Sequence, residues 1–425
     1  MKQELKRFYH RVRHHIIWRM HNLVAYNVHL RPTGLHASSQ ALAALPGSAA
    51  TYAEVYPAYT SHLAVPEVFV EMSPAYFERA AEVEHVGPAF VLALPGGRLS
   101  VDNRNTLAVI AADNHLVGDV SLQFAPGTLS VADPTHNPIF GQRYFREPLE
   151  IKGTVCSLLS GGGAGMGNYY HWLLDSLPRL HLIKQAGLWN EVDYFLIYSR
   201  EHHFVMETLL ALGIRNEQIL DVQTATHLRA ERLLVTSPVR GLGRHAPTWV
   251  GDYLKESYLP MVTGAARPTH FSPLVYVSRR DASFRQVRNE AAVEALLAEY
   301  GFESYALTEL SFREKVALFA GARAVVGPVG AGMANILFCE PGTPMVEFLP
   351  HNLVVADFLD LTPRLGMPHY PLISARDSKS GGNAPADRLD DLTVDLDALR
   401  RTLHQALAMP APAAVGEAAS VLAPA

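Results

Sequence analysis

Ala324–Pro350 reads AVVGPVGAGMANILFCEPGTPMVEFLP. A short apolar run, AVVG, stops at Pro328, and glycines follow at 330 and 332. AGMANILF then has helical character, Pro341-Gly342 breaks it, and PMVEFL is a second apolar run. Strand, glycine turn, helix, turn, strand is a βαβ unit, and its two strands lie parallel in one sheet. The rhythm extends in both directions. Upstream lie strand LVYVS, helix NEAAVEALLAEYG, strand FESYAL and helix SFREKVALFAG; downstream lies helix VVADFLDLTPRL. A second series precedes it: strand IKGTVCSLL, strand DYFLIY, helix EHHFVMETLLALG, strands QILDV and RLLVTS, and helix TWVGDYLKESYLPMV. TGAARPTHFSP, rich in Gly, Pro and Thr, separates the two. Two parallel-sheet domains with helices on both faces are expected, over 60–262 and 270–405, with ligands bound beyond the carboxyl ends of the strands.

Composition bounds the rest. The 425 residues carry a formal net charge of −5, which argues against a general nucleic-acid binder. Two cysteines, Cys156 and Cys339, imply no disulfide framework and a reducing, cytoplasmic setting. No run of ~18 apolar residues marks a transmembrane helix. Lys2, Lys6, Arg7, Arg11, Arg13 and Arg19 face one acid, Glu4, while Leu5, Tyr9, Val12, Ile16, Met20 and Leu23 recur at helical spacing. A basic amphipathic helix over 1–30 is expected, which through residues 1–25 would lie on the inner membrane face or pack on protein. FVLAL and LAVIAADNHLVGDVSL read as β-hairpins leading into the first domain, and 409–425 reads as a disordered tail.

SGGGAGMGNYYHWLLDSLPRL, Ser160–Leu180, is a glycine turn running into a helix. Its glycines fit neither the dinucleotide fingerprint nor the P-loop. At ~100° per residue Asn168, His171, Asp175 and Arg179 share one face, opposite Tyr170, Leu173, Leu174, Leu177 and Leu180. Asn168 suits an N-cap, and Pro178 should bend or end the helix. His171 and Asp175, four apart, suit a proton network with Asp175 as general base; the same spacing also serves a structural pair or a solvated face. No cluster with metal-ligand spacing stands out, and the loose Asp395-Leu-Asp397 pattern is discounted.

In LVYVSRRDASFRQVRNE, Leu274–Glu290, a strand runs into Arg279, Arg280 and Arg285, whose guanidinium forks suit phosphate oxygens or partner acids such as Asp281 and Glu290. Gly330, Ala331, Gly332 and Met333 open a helix whose N–H groups would attract an anion, and Glu347 could accept ribose hydroxyls or act as a strand-end acid. Together they favour a nucleotide diphosphate ligand.

With these blocks in view, the sequence resembles glycosyltransferase family 61, the capsular polysaccharide biosynthesis type. NYYHWLLDSLPRL is similar to the family's His-Trp-x-x-Asp helix, YVSRRDASFRQVRNE to its Tyr-x-Ser-Arg and Asn-Glu block, and VGPVGAGMANILFCEPGTPMVEFLP to its Gly-Ala-Gly, Asn-x-x-Phe, Pro-Gly-Thr and Glu-x-x-Pro block. The resemblance covers roughly 150–350, and Val329 stands where the family often has His. It implies a GT-B-like α/β fold, two Rossmann-like domains with the cleft between them. It implies inverting, metal-independent transfer without a cofactor, from a UDP-type nucleotide sugar to a glycan or glycolipid hydroxyl in capsular or extracellular polysaccharide synthesis. Asp175 would be the base, with His171 and Asn168 orienting it. Arg279, Arg280 and Gly330–Gly332 would hold the diphosphate and Glu347 the ribose. A nucleotide-sugar epimerase and a catalytically degenerate glycan-binding scaffold are the rival readings.

Overall fold

The structure, a computed structural model, describes residues 23–62, 83–101, 106–122, 132–240, 245–263, 270–350, 357–374 and 391–408. The expected basic helix lies, through residue 22, outside the described residues, as does the tail 409–425. Where the 1–30 range is described it is not one continuous helix: Asn27 adopts a left-handed φ of 49° and Val28–Leu30 forms a single 3₁₀ turn. Among the described residues no helix is long and apolar enough to cross a membrane.

Contacts divide the chain into two units, Met1–Tyr59 with His85–Gly243, and Thr60–Glu84 with Arg244–Ala425. This division falls before the helix Thr248–Tyr258, whereas the Gly/Pro/Thr-rich stretch at 263–273 comes after it. The reason is aromatic: Tyr258, fully buried, meets the rings of Phe312 and Phe338 edge-on at 4.9 and 6.4 Å.

The strands, in chain order, are β1 (Gly34–His36), β2 (Thr51–Tyr56), β3 (Tyr59–His62), β4 (Val83–Val86), β5 (Ala89–Pro95), β6 (Arg98–Ser100), β7 (Ala108–Ile110), β8 (His115–Val117), β9 (Leu149–Ser157), β10 (Tyr194–Ile197), β11 (Ile219–Asp221) and β12 (His227–Thr236). β3 and β4 pair as a separate ribbon. The others, among the described residues, form one ten-stranded sheet ordered β1-β8-β7-β6-β12-β9-β10-β11, which β2 joins through β5. β12, β9, β10 and β11 are parallel to one another. The β-rich start expected within the first domain joins the parallel strands in one sheet, through β12. β12 is long enough to pair antiparallel with β6 through His227–Arg229 and with β5 through Arg232–Thr236, so its second edge is satisfied.

The five-stranded sheet of the second unit is parallel throughout: β13 (Leu274–Ser278), β14 (Glu303–Ala306), β15 (Ala324–Pro328), β16 (Met345–Leu349) and β17 (His369–Ile373), ordered β14-β13-β15-β16-β17. All residues of β15 and β16 are buried, as expected for strands covered on both faces. The helix Phe312–Ala320 starts at a capping box in which Ser311 and Glu314 exchange bonds. In this order the chain leaves β13 toward one side of the sheet and continues from β15 toward the other. The loops after β13 and β15 therefore part at a topological switch point, where such sheets bind ligands.

Candidate functional site

In the first unit, β9 ends at Ser157 and the glycine stretch follows it. Asn168 caps the next helix, its Oδ1 accepting from the N–H groups of Tyr170 and His171 at 3.0 and 3.5 Å. Pro178 lacks an N–H, and the turn ahead of it, Trp172–Ser176, widens to a π-helix before the α-helix resumes over Arg179–Gln185. The Leu177 N–H reaches back to the Trp172 carbonyl. The apolar face is buried as the periodicity predicts, but Arg179 is not a solvated residue. It is 6% exposed and donates to the Asp175 carbonyl and to Thr236 at the end of β12.

His171 Nδ1 lies 2.6 Å from Asp175 Oδ2. The same carboxylate takes a two-point contact from Arg240, Nε to Oδ1 at 2.6 Å and Nη2 to Oδ2 at 3.0 Å. Arg240 stands on the loop after β12, the parallel neighbour of β9, and its guanidinium lies 5.3 Å from the Tyr170 ring centre. Sequence reasoning missed Arg240, which is 65 residues from Asp175; only the strand order joins them. Gly163 acquires a use here: a Cβ on it would overlap the His171 ring, so glycine admits the imidazole edge.

Burial would raise the Asp175 pKa, but the Arg240 charge and the hydrogen bonds from His171 and Arg240 outweigh it and hold the carboxyl well below its ordinary range. Such a group is a poor proton acceptor. An ionised Asp175 instead fixes the proton on His171 Nδ1 and leaves Nε2 with its lone pair. Asp175, expected as the base, is thus engaged by both His171 and Arg240, and His171 Nε2 is the ring nitrogen turned away from that contact. Because the folded pKa is lowered, the pairing stabilises the fold fully above ~4, the unfolded value, and loses that effect as pH falls through the folded value. Asp175→Asn should lower Tm most near neutral pH, with the gap to wild type narrowing toward about pH 2 in thermal scans; a gap that stays constant over that span would show that Asp175 is not the anion. A small recess nearby, lined by Gly167, Asn168, Trp172, Tyr198, His202 and Phe204 among others, borders neither His171 nor Asp175.

In the second unit the loops after β13 and β15 meet. The Arg279 guanidinium packs on Gly330, where a Cβ would overlap Nη1. Arg279 also donates to the Phe284 carbonyl at 3.1 Å, and the guanidiniums of Arg279 and Arg285 lie 5.8 and 5.3 Å from the Phe284 ring centre. Arg285, at a left-handed φ of 56°, points Nη1 toward the Val329 carbonyl. Among the described residues, the Nε atoms of Arg279 and Arg285 are buried without partners. Burial, with the Arg285 charge beside it, pushes the Arg279 pKa down to about 10; burial also lowers that of Arg285. Two partly desolvated like charges with unused donors are costly unless an anion satisfies them.

Arg280 does not join them. Adjacent residues leaving a strand point opposite ways, and Arg280 is exposed, 3.6 Å from Glu309. The residues after Gly330 form a 3₁₀ helix, Ala331–Phe338, in tighter turns than the expected α-helix, with the Asn335 side chain holding the Gly332 carbonyl. Ala331 and Gly332 are half-buried at its start, but Met333 is fully buried and its N–H bonds the Gly330 carbonyl, so it offers nothing to a ligand. Val329 is buried as well. Glu347, 1% exposed, accepts from His369 Nε2 at 2.9 Å, while its Oε1 and His369 Nδ1 have no partner among the described residues. Burial raises the Glu347 pKa against His369 and Arg285. The Asn-Glu block is structural: Glu290 accepts from Tyr276 and Ser278, and Asn289 pairs with the Val394 backbone. Asp395 caps the helix Leu396–Ala408 through the Ala398 N–H.

Residues 169–346 match the Glycosyltransferase 61 family model, a segment that contains His171, Asp175, Arg240, Arg279, Arg285 and Gly330. No curated protein matches the chain.

Proposed function

From the premise of that match, we propose that the protein is an inverting glycosyltransferase that moves a sugar from a nucleoside diphosphate, UDP in our reading, to a hydroxyl of a glycan or glycolipid. The observation that carries this is the Arg279–Arg285 pair at the switch point of the second unit, its buried Nε donors unpartnered among the described residues and Gly330 admitting the Arg279 guanidinium against the backbone. It suits a diphosphate. In a GT-B division of labour the second unit holds the donor and the first supplies the base. His171 Nε2 takes the acceptor proton as its oxygen bonds to the anomeric carbon. The carbon–oxygen bond to phosphate breaks, and the diphosphate departs with the electron pair, stabilised by arginine charge in place of a metal. Asn168 starts the helix that bears His171, and Glu347 Oε1 would accept a ribose hydroxyl. A capsular or extracellular polysaccharide product and a peripheral cytoplasmic location belong to this same proposal.

The test is incubation of UDP-sugars with glycan acceptors, followed by product analysis. Transfer with inversion supports the reading. Conversion of the donor without acceptor would indicate an epimerase instead, and donor binding without turnover a degenerate binding protein.

Glu347 gives a separate expectation. A carboxyl whose folded pKa is raised loses stability as it ionises: no cost below the unfolded value, full cost above the folded one. Glu347→Gln is expected to raise Tm at pH 7 more than at pH 4 while weakening donor affinity, by thermal scans and calorimetric titration. A lower Tm at pH 7 with unchanged affinity would refute both parts.

A further inference from the structure

One cluster takes no part in that reaction: His36, Asp113 and His115, at the edge of the first unit's sheet. β1 is the edge strand, parallel to β8 with Gly34 opposite His115 and His36 opposite Val117. Asp113 and His115 flank the turn between β7 and β8. Asn114 holds that turn with a left-handed φ of 64°, and its side chain accepts from Arg98 and donates to the His29 and Arg31 carbonyls. The His115 ring lies over Gly34, where a Cβ would overlap Cδ2 and Nε2. The ring is therefore fixed with Nδ1 turned toward Asp113, whose backbone carbonyl lies 3.1 Å from it. Asp113 uses Oδ1 for the His115 N–H and turns Oδ2 to both rings, 2.8 Å from His36 Nε2 and 3.5 Å from His115 Nδ1. All three ligand atoms lie within 4.8 Å of one another.

We propose that His36 Nε2, Asp113 Oδ2 and His115 Nδ1 form a binding site for a divalent zinc-type cation, one that clips the edge strand β1 to the β7–β8 turn. Two imidazoles and one carboxylate are a zinc-type donor set, and bonds of ~2.0–2.1 Å in a tetrahedron separate ligand atoms by roughly 3.3 Å. The separations of 2.8 and 3.5 Å straddle that value. Asp113 and His115 side chains are 49% and 36% exposed, which leaves the fourth position to water. The ring orientation exists before any ion arrives, through Gly34 and the Asn114 turn, and an ion would replace the His115 Nδ1 contact with the Asp113 carbonyl and the His36 Nε2 contact with Asp113 Oδ2. A bridging ion would stabilise the strand by joining segments some 77 residues apart in sequence.

The test uses the full chain, stripped with chelator, dialysed against Zn²⁺ and assayed for bound metal, beside His36→Ala and Asp113→Asn. The chain has 20 histidines, so the difference between proteins is the readout rather than the total. Wild type should hold one equivalent more than either variant, and Zn²⁺ should raise Tm in wild type but not in the variants. Asp113 is half exposed and the His36 side chain 14% exposed, and circular dichroism without metal should be the same for all three. Should one variant misfold, Co²⁺ absorption of wild type keeps the question open to decision: tetrahedral ligand-field bands support the site and their absence overturns it. Equal zinc in wild type and variants, or no Tm difference, overturns it also.

Discussion

His171→Ala is expected to lower kcat by about 10²- to 10⁴-fold, the usual contribution of a positioned general base, with KM for the donor little changed. The expectation rests on one carboxylate having no capacity to spare. Asp175 is bound by Arg240 at both oxygens and by His171 at one, and its pKa is held low by those partners. Taking a proton would mean giving up these contacts, whereas the imidazole has a second nitrogen in reserve. The His171 side chain is 34% exposed, so its removal should leave the fold intact. Asp175→Asn should also slow transfer, since an amide can hold the imidazole in the wrong tautomer, but its signature differs by including a loss of stability near neutral pH. Steady-state kinetics with thermal scans separate the two. Near-normal turnover in a folded His171→Ala protein would falsify the base assignment. Gly163→Ala makes the same point indirectly, because its methyl group would displace the ring without touching its chemistry.

Arg279→Ala should weaken UDP or UDP-sugar binding by about 1.5–3 kcal/mol, the scale of a hydrogen bond to a charged group, or roughly ten- to a hundredfold in Kd. It should do so without loss of stability. The wild-type guanidinium is partly desolvated, sits beside the like charge of Arg285 and leaves Nε unpartnered, so removing it in the absence of ligand relieves a cost. A residue maintained for the fold would behave in the opposite way. Calorimetric titration and thermal scans on one preparation supply the check. Unchanged affinity together with a fallen Tm would assign Arg279 to structure. Arg280→Ala is the control, because Arg280 faces Glu309 in solvent and its loss should change neither quantity appreciably.

These effects trace to different levels of the chain. Periodicity in Ala324–Pro350 and its flanking segments was sufficient to predict the parallel second sheet, because strands buried on both faces are apolar without interruption. Local rules were sufficient for the Asn168 cap and for the break at Pro178, since a cap and a missing N–H act within a few residues. They placed His171 and Asp175 on one helix face, where the pair is found. Spacing did not reveal that the Asp175 carboxyl is held below its ordinary range. That depends on Arg240, brought in by the parallel pairing of β12 with β9, and a pKa responds to charges near in space rather than in sequence. Nor did spacing distinguish Arg280 from Arg285 as the companion of Arg279, because the backbone path after β13 turns one outward and the other back toward Val329. His36 and Asp113 likewise meet only through the pairing of β1 with β8. The sequence by itself determined the elements, their caps and the residues able to do chemistry. Tertiary structure decided which of them share a site and in what charge state, because strand order and burial are properties of the whole sheet and not of any local stretch.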